Sequence, residues 1–372
     1  MRRTLTTLVA LIFSITFFVL SPNPLYGFNV TLVKKIGFEE NSKLQFTPIS
    51  FCVTEDGFFL IPDHEKGNVK IYEMNGEALQ LVKTFGPKGF GDDEYNMPAY
   101  CFYDKNRSKL GIIDIGIGTK KVYIYDRRGR VDFVPASIID ADGFDMRFAG
   151  DGKHLVISGY TTDSAGRSFE LFSINLENPG QPNYLLSSYE KYGLSSDEEY
   201  QREYKDQTLP AIGIRAFIDI QGDDVYFVWE GKARIIKINL KTKTSDIFDE
   251  TKKQRMPNYF EPTKSVELEV LRKSYVDMDI SKIKKQRTKM SLVRNIFATP
   301  LYVFVVYEGP NESNFRLQMY SPEGEFLGDS AIPGNCSWIM WFDKESDTLY
   351  SLQEKSEKKK QDIHMLVYNV KE

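Results

Sequence analysis

Sulfur and imidazole are scarce in this chain: three cysteines and three histidines in 372 residues. Cys52, Cys101 and Cys336 are odd in number and far apart. That excludes a disulfide-built scaffold, which puts many cysteines into a short chain. No G-x-S-x-G elbow, Walker phosphate loop or C-x-x-C pair occurs, and no nucleophile–base set stands out. An excess of positive charge is also lacking. The formal net charge is −4, so the cationic footprint that displaces nucleic-acid counterions is missing and no nucleic-acid partner is expected.

Long apolar runs are absent beyond the first thirty residues. Arg2-Arg3 precede an apolar run over 8–20, broken by Ser14 and Thr16 and followed by Pro22, Pro24 and Gly27. A short basic segment, an apolar core and a breaker read as a secretory signal over 1–27. An uncleaved anchor is the alternative, although a membrane span needs roughly 20 apolar residues. No cysteine stands nearby to carry a lipid. The mature chain is expected to be exported, periplasmic or extracellular, without a membrane span and monomeric.

What is abundant is turn and strand material: 13% aromatics with 26 Gly and 16 Pro. Residues 85–129 set the pattern. A loop with Gly86, Gly89 and Gly91 runs through Asp92-Asp93-Glu94-Tyr95-Asn96 to Pro98. Apolar runs at 99–103, 110–114 and 122–125 follow, then the turn Arg127-Arg128-Gly129 and a fourth run at 131–134. Runs of four to six β-branched and aromatic residues between turn signals read as strands of one small antiparallel sheet. Gly89, Gly91, Glu94, Tyr95, Asn96, Pro98 and Asp114 resemble the NHL-type propeller repeat. In that repeat a Gly-rich loop leads through an acid, an aromatic residue and Asn to Pro, and a later strand ends in Asp.

The same spacing recurs from Thr47 onward. Inner-strand runs fall at 49–53, 99–103, 144–148, 216–220, 292–297 and 338–342, each with further runs behind it. All three cysteines lie in or beside these inner runs. They are expected as buried small apolar residues, with a Cys52–Cys101 bridge as the alternative in an oxidising compartment. The last unit has only three runs, while a spare one stands at 30–36. Pairing 30–36 with 365–370 would supply the missing strand and remove exposed sheet edges. The expectation is an all-β six-bladed β-propeller over 28–372, closed by its N-terminal strand. It resembles the exported TolB-like propellers of bacteria.

Two segments break the pattern, 189–210 and 250–290. The first is polar and acidic with four tyrosines. In the second, Leu268, Leu271, Tyr275 and Met278 recur at helical steps from about residue 263, before the basic run Lys282 to Lys289. A helical insertion between blades four and five is therefore expected. Both insertions would rise from one face of the disc, which makes that face the expected binding surface.

Five acids, Asp63, Asp114, Glu230, Glu308 and Glu354, stand at or near the ends of second strands. A cation would suit such a ring, since calcium takes oxygen ligands. The favoured reading is loop capping through backbone N–H groups. The resemblance raises two enzyme precedents within six-bladed propellers: an axial calcium in lactonase-type members and a three-histidine zinc in an amidating lyase. His64 and His154 fall at opposite ends of second strands, about 16 Å apart for five residues, so no shared zinc is expected. Asp145, Asp219 and Asn295 are the nearest calcium candidates, though they differ in depth.

Arg147, Arg215 and Arg294 lie on consecutive inner strands at like parity, with Tyr100, Trp338 and Trp341 on others. Forked donors among aromatics would hold a small anionic or sugar-like ligand. The competing expectation is salt bridging to Asp145 and Asp219. The functional expectation is a recognition module for a protein partner or small ligand, without catalytic residues or an obligatory cofactor. The alternatives are a calcium-dependent hydrolase or lactonase at the channel mouth, or a ring-forming structural component.

Overall fold

Short β-branched and aromatic runs between turn residues give strands throughout. The computed structural model describes residues 28–372 apart from 45, 47, 92–93, 117–119, 142, 144, 188–214, 230–231, 249–291, 310–314, 338, 358–359 and 372. The segment 1–27, both insertions (189–210 and 250–290, with the expected helix), Glu230 and Trp338 lie outside the described residues.

The chain opens with β1 (Asn29–Phe38), followed by a short 3-10 turn at Glu40–Ser42. The first sheet then has β2 (Cys52–Val53), β3 (Phe59–Asp63), β4 (Asn68–Asn75) and β5 (Ala78–Phe85). The second has β6 (Pro98–Asp104), β7 (Lys109–Asp114), β8 (Lys121–Arg127) and β9 (Phe133–Asp140). The third has β10 (Asp145–Phe148), β11 (His154–Thr162), β12 (Ser168–Asn175) and β13 (Asn178–Ser187). The fourth has β14 (Ala216–Gln221), β15 (Asp224–Trp229), β16 (Lys232–Asn239) and β17 (Ser245–Phe248). The fifth has β18 (Leu292–Ala298), β19 (Val303–Glu308), β20 (Phe315–Tyr320) and β21 (Phe326–Ala331). The chain ends with β22 (Met340–Asp343), β23 (Thr348–Glu357) and β24 (Lys360–Lys371).

Strands β6 to β21 make four antiparallel four-stranded sheets in chain order. The terminal strands behave differently. Strand β1 pairs antiparallel with β24, from Asn29↔Lys371 to Ile36↔Met365. Its last two residues then pair in parallel with β5, Gly37↔Ala78 and Phe38↔Leu79. The first and last sheets therefore join as one eight-stranded sheet, β2-β3-β4-β5-β1-β24-β23-β22. The reason is length: β1 has ten residues, and its partner β24 takes only the first eight.

Some boundaries differ from those read in sequence. The fourth strand of the second sheet is Phe133–Asp140 rather than 131–134. In the third sheet β13 starts at Asn178, so Pro179-Gly180 lies within a strand, not a turn. Both strands are outermost in their sheets, where a proline lacking its N–H is tolerated.

First strands neighbour one another in order: β2 against β6, β6 against β10, β10 against β14 and β14 against β18, with β2 also touching β22. The core forms between adjacent sheets rather than at one centre. One cluster joins Phe304, Val306 and Leu317 of the fifth sheet to Leu349, Leu366 and Tyr368. Another joins Cys52, Leu60 and Ile71 to Cys101, Ile112 and Tyr123. This all-β arrangement is consistent with a β-propeller. Among the described residues no helix is long and apolar enough to cross a membrane.

The loop into β6 shows how local chemistry sets the start of a first strand. One Glu94 carboxylate oxygen accepts the Phe90 and Gly91 N–H groups at 2.9 and 2.8 Å. Tyr95 is fully buried behind it. Gly86 has φ +78°, and a Cβ there would stand 2.1 Å from the Tyr95 ring, so only glycine fits. Asp114, ending β7, accepts the N–H groups of Asn96 (2.7 Å), Met97 (2.6 Å) and Gly116 (3.2 Å).

Candidate functional site: the cavity at the starts of the first strands

The beginnings of the first strands enclose a cavity of about 80 Å³, whose lining includes Tyr100, Arg147, Arg215, Arg294 and Trp341. Five of the six side chains expected at the axis are thus brought together. They come from five different sheets, so only the arrangement of sheets gathers them.

Arg147 donates through Nη1 to Asp145 and to the Met146 carbonyl (2.8 Å), and its Nε stands 3.6 Å from Asp219. Burial works against the guanidinium charge, yet the Asp145 and Asp219 carboxylates hold the Arg147 pKa above its usual value. Burial pushes the Asp145 carboxyl above the ordinary range, against the pull of Arg147. Arg294 is the extra residue of a β-bulge: Val293 opposes Tyr307 and Asn295 opposes Val306. Bulges re-aim side chains, and here Arg294 reaches Glu308 Oε2 through Nε (2.8 Å) and Nη2 (2.5 Å). Trp341 carries a buried indole N–H for which no group among the described residues is an acceptor, an exception that calls for an explanation.

The wall beside Tyr100 is sulfur and hydroxyl. Ser50 Oγ donates to the Ala99 carbonyl (3.1 Å) and accepts the Cys101 N–H (2.9 Å). The Cys101 thiol lies 3.5 Å from the Leu60 carbonyl. Burial raises the Cys52 pKa well above normal, helped by the Cys101 thiol beside it. All three cysteines are buried and unbridged in this structure.

The three calcium candidates act as stitches between neighbouring first strands. Asp145 Oδ2 accepts the Ile218 N–H (3.0 Å), and Asp219 Oδ2 accepts that of Ala298 (2.7 Å). Asn295 Nδ2 reaches the Met340 carbonyl at 3.5 Å. Among the described residues no group of three or more His, Cys, Asp or Glu could hold a metal ion. His64 follows β3, whereas His154 opens β11 and binds Asp151 at 2.6 Å. His364 lies on β24.

The acids at second-strand ends do not act alike. Asp63 is fully buried, accepts the Lys66 N–H (3.0 Å) and pairs with Lys70 (2.7 Å). Asp114 binds mainly the loop before its sheet's first strand, and Glu308 binds Arg294. Glu354 departs from the expected pattern. It is exposed and lies within β23, which runs on to Glu357 because β23 and β24 continue as a long hairpin.

A second cavity, about 400 Å³, opens at the other end of the same strands. Phe102, Arg147, Met340 and Trp341 line both cavities and separate them. Here charges pair across the axis. Lys105 of the second sheet binds Asp343 of the last (2.6 Å). Lys344 binds Asp219 (2.8 Å) and the Ile220 carbonyl (2.9 Å) of the fourth. Sequence reading missed this belt; Lys105 and Lys344 are turn residues whose reach depends on how the sheets face each other.

No protein-family model matches the chain. No curated protein matches it by sequence. Solved structures share its fold. A member of the DUF4221 family from Bacteroides vulgatus superposes with a TM-score of 0.59 at 11% identity, over 92% of this chain and 98% of that one. A Bacteroides fragilis protein described as exported gives 0.54 at 12% identity, over 91% and 94%. The PQQ-bound aldose sugar dehydrogenase of Streptomyces coelicolor gives 0.51 at 8% identity, over 93% and 99%. At these identities the likeness concerns fold alone.

Proposed function

We propose that the chain is an exported six-bladed β-propeller of the NHL or TolB-like type that works as a recognition module, with β1 completing the blade of β22, β23 and β24. The pairing of Val30 with Val370 supports this reading, as does the succession of sheets. An exported neighbour of the same fold and the apolar segment 8–20 agree with export to the periplasm or beyond. The ligand site is the cavity at the starts of the first strands, and its ligand is a small anionic or sugar-like molecule. One observation carries this: Tyr100, Arg147, Arg215, Arg294 and Trp341 converge on a single cavity. Guanidinium forks fix an anion's orientation, while aromatic faces pack a ring or chain behind it.

The insertions 189–210 and 250–290 connect to first strands on this same side, so a protein partner would meet the cavity mouth. Recovery of partners from an envelope extract, with and without 250–290, tests that surface; equal recovery would remove it. The purified protein should elute as a monomer with no tightly held metal. Calcium retained through purification, with an activity lost to chelator, would favour a hydrolase or lactonase instead.

A further inference from the structure

We infer that the larger cavity, at the far ends of the first strands, is a second ligand site whose chemistry fits an uncharged sugar. It lies opposite the site proposed above and does not depend on it. Its rim is formed where first strands turn back into second strands, by Asn106, Gly150, Gly222, Pro300 and Glu345, all exposed. Phe102, Phe148, Phe297 and Phe342 line the same space and are buried. The wall thus grades from a polar, wetted rim to an aromatic floor. At about 400 Å³ the cavity falls within the roughly 300–1,000 Å³ usual for small-molecule sites. It holds roughly thirteen waters at about 30 Å³ each, so a hexose ring enters with waters left to bridge it.

Charge decides the class. The lining holds four cations and four carboxylates. Arg107 pairs with Asp104 at 2.8 Å, and Lys105 with Asp343 at 2.6 Å and Glu345 at 3.9 Å. Lys344 pairs with Asp219 at 2.8 Å. Arg147 stands 3.6 Å from Asp219 and also binds Asp145, in the wall of the other cavity. No cation in this lining lacks a carboxylate, and no carboxylate lacks a cation. A ligand with net charge of either sign therefore competes with a pair already made. An apolar ligand would strip water from the pairs without replacing its hydrogen bonds. A hydroxyl serves both partners with one atom: it accepts from a spare ammonium or guanidinium N–H and donates to a spare carboxylate lone pair. Several hydroxyls on one ring, with C–H faces toward the phenylalanines, describe a sugar. Trp341 lines this cavity too, and its buried indole N–H, which meets no acceptor among the described residues, is a further donor for a ring oxygen.

The test uses the folded chain. Calorimetry compares glucose, galactose, mannose and xylose with gluconate, glucosamine and cyclohexanol. At least one neutral sugar should bind with a Kd of about 10 mM or tighter. It should bind about tenfold or more tighter than the controls, each of which opens a pair or leaves one unmet by a hydroxyl. Mass spectrometry locates the site through acetylation of Lys105 and Lys344, with Lys241, whose side chain is 76% exposed, as reference. With the sugar at about ten times its Kd, the two cavity lysines should react about tenfold more slowly, as occupancy dictates, and Lys241 at its native rate. Asn106→Trp and, separately, Pro300→Trp each set a bulky ring at the rim and should weaken sugar binding about tenfold with a native circular dichroism spectrum. Absence of binding by all four sugars overturns the inference, and so does a control that binds as tightly as the best sugar. Binding without protection of either lysine places the sugar elsewhere and overturns it, as does undiminished binding to both folded variants. Should neither variant fold, lysine protection decides.

Discussion

The two ends of the first strands solve one problem differently. At their starts, near the cavity, carboxylates serve their own sheet or the next one: Asp114 binds three backbone N–H groups of its own sheet, Glu308 binds Arg294 fourteen residues away, and Asp145 accepts the Ile218 N–H of the neighbouring sheet. At their far ends the partners lie in other sheets, with Lys105 to Asp343 and Lys344 to Asp219 spanning the axis. Bonds at the starts stay within a sheet or reach the next one. Pairs at the far ends tie sheets that are not consecutive in the chain, and the larger cavity, about 400 Å³ against about 80 Å³, lies among them.

The sharpest way to break this contrast is Asp219→Ala. It takes a carboxylate away from both Lys344 and Arg147 and leaves the Ala298 N–H without its acceptor, and removing one partner of a buried pair costs roughly 3–5 kcal/mol. Urea unfolding should show that loss; a change under about 1 kcal/mol would mean the belt holds nothing. Asp114→Ala should come next, at about 2–3 kcal/mol for bonds to a charged acceptor. Because its bonds are to backbone dipoles in one sheet, added salt should leave this loss unchanged.

A pH experiment sharpens the far end. Burial raises the Asp343 pKa, but the Lys105 ammonium and the Glu345 N–H outweigh it and bring the group below its usual value. A depressed carboxyl contributes stability that is complete above the unfolded value of about 3.9 and is lost as pH falls through the folded one. Asp343→Asn should therefore be less stable than the native chain at neutral pH and converge with it in strong acid. Parallel curves at all pH values would contradict the pair. The smallest stability effect is expected for Glu308→Gln at the cavity, within about 1 kcal/mol for a partly exposed pair. Its consequence should appear in anion binding, which should tighten as a negative charge beside Arg294 is lost.

Much of the strand order was legible because it follows from counting: a last unit one strand short and a spare run at the other terminus imply a pairing such as Val30 with Val370. The arginines were legible as a set by the same counting, although only Arg147 and Arg294 lie on first strands and Arg215 stands just before one. Parity did not foresee that Arg294 occupies a bulge, because nothing in Leu292-Val293-Arg294-Asn295 marks the extra residue. Nor could it give the belt, where turn lysines meet acids more than a hundred residues away in sequence. The Glu354 position was misjudged because Thr348–Glu357 continues as strand through polar residues whose pairing with β24 outweighs their composition.

The antiparallel ladder between β1 and β24 has a consequence for assembly. Residue 30 finds its neighbour only some 340 positions later, and contacts so distant in sequence are slow to form. During synthesis, which proceeds at about 5–20 residues per second, the first strand must wait tens of seconds with its hydrogen-bonding edge unmet. A nascent chain therefore carries an open seam until β24 arrives. Truncation by even one strand at the C-terminus should leave a sticky, chaperone-dependent product rather than a slightly smaller soluble one.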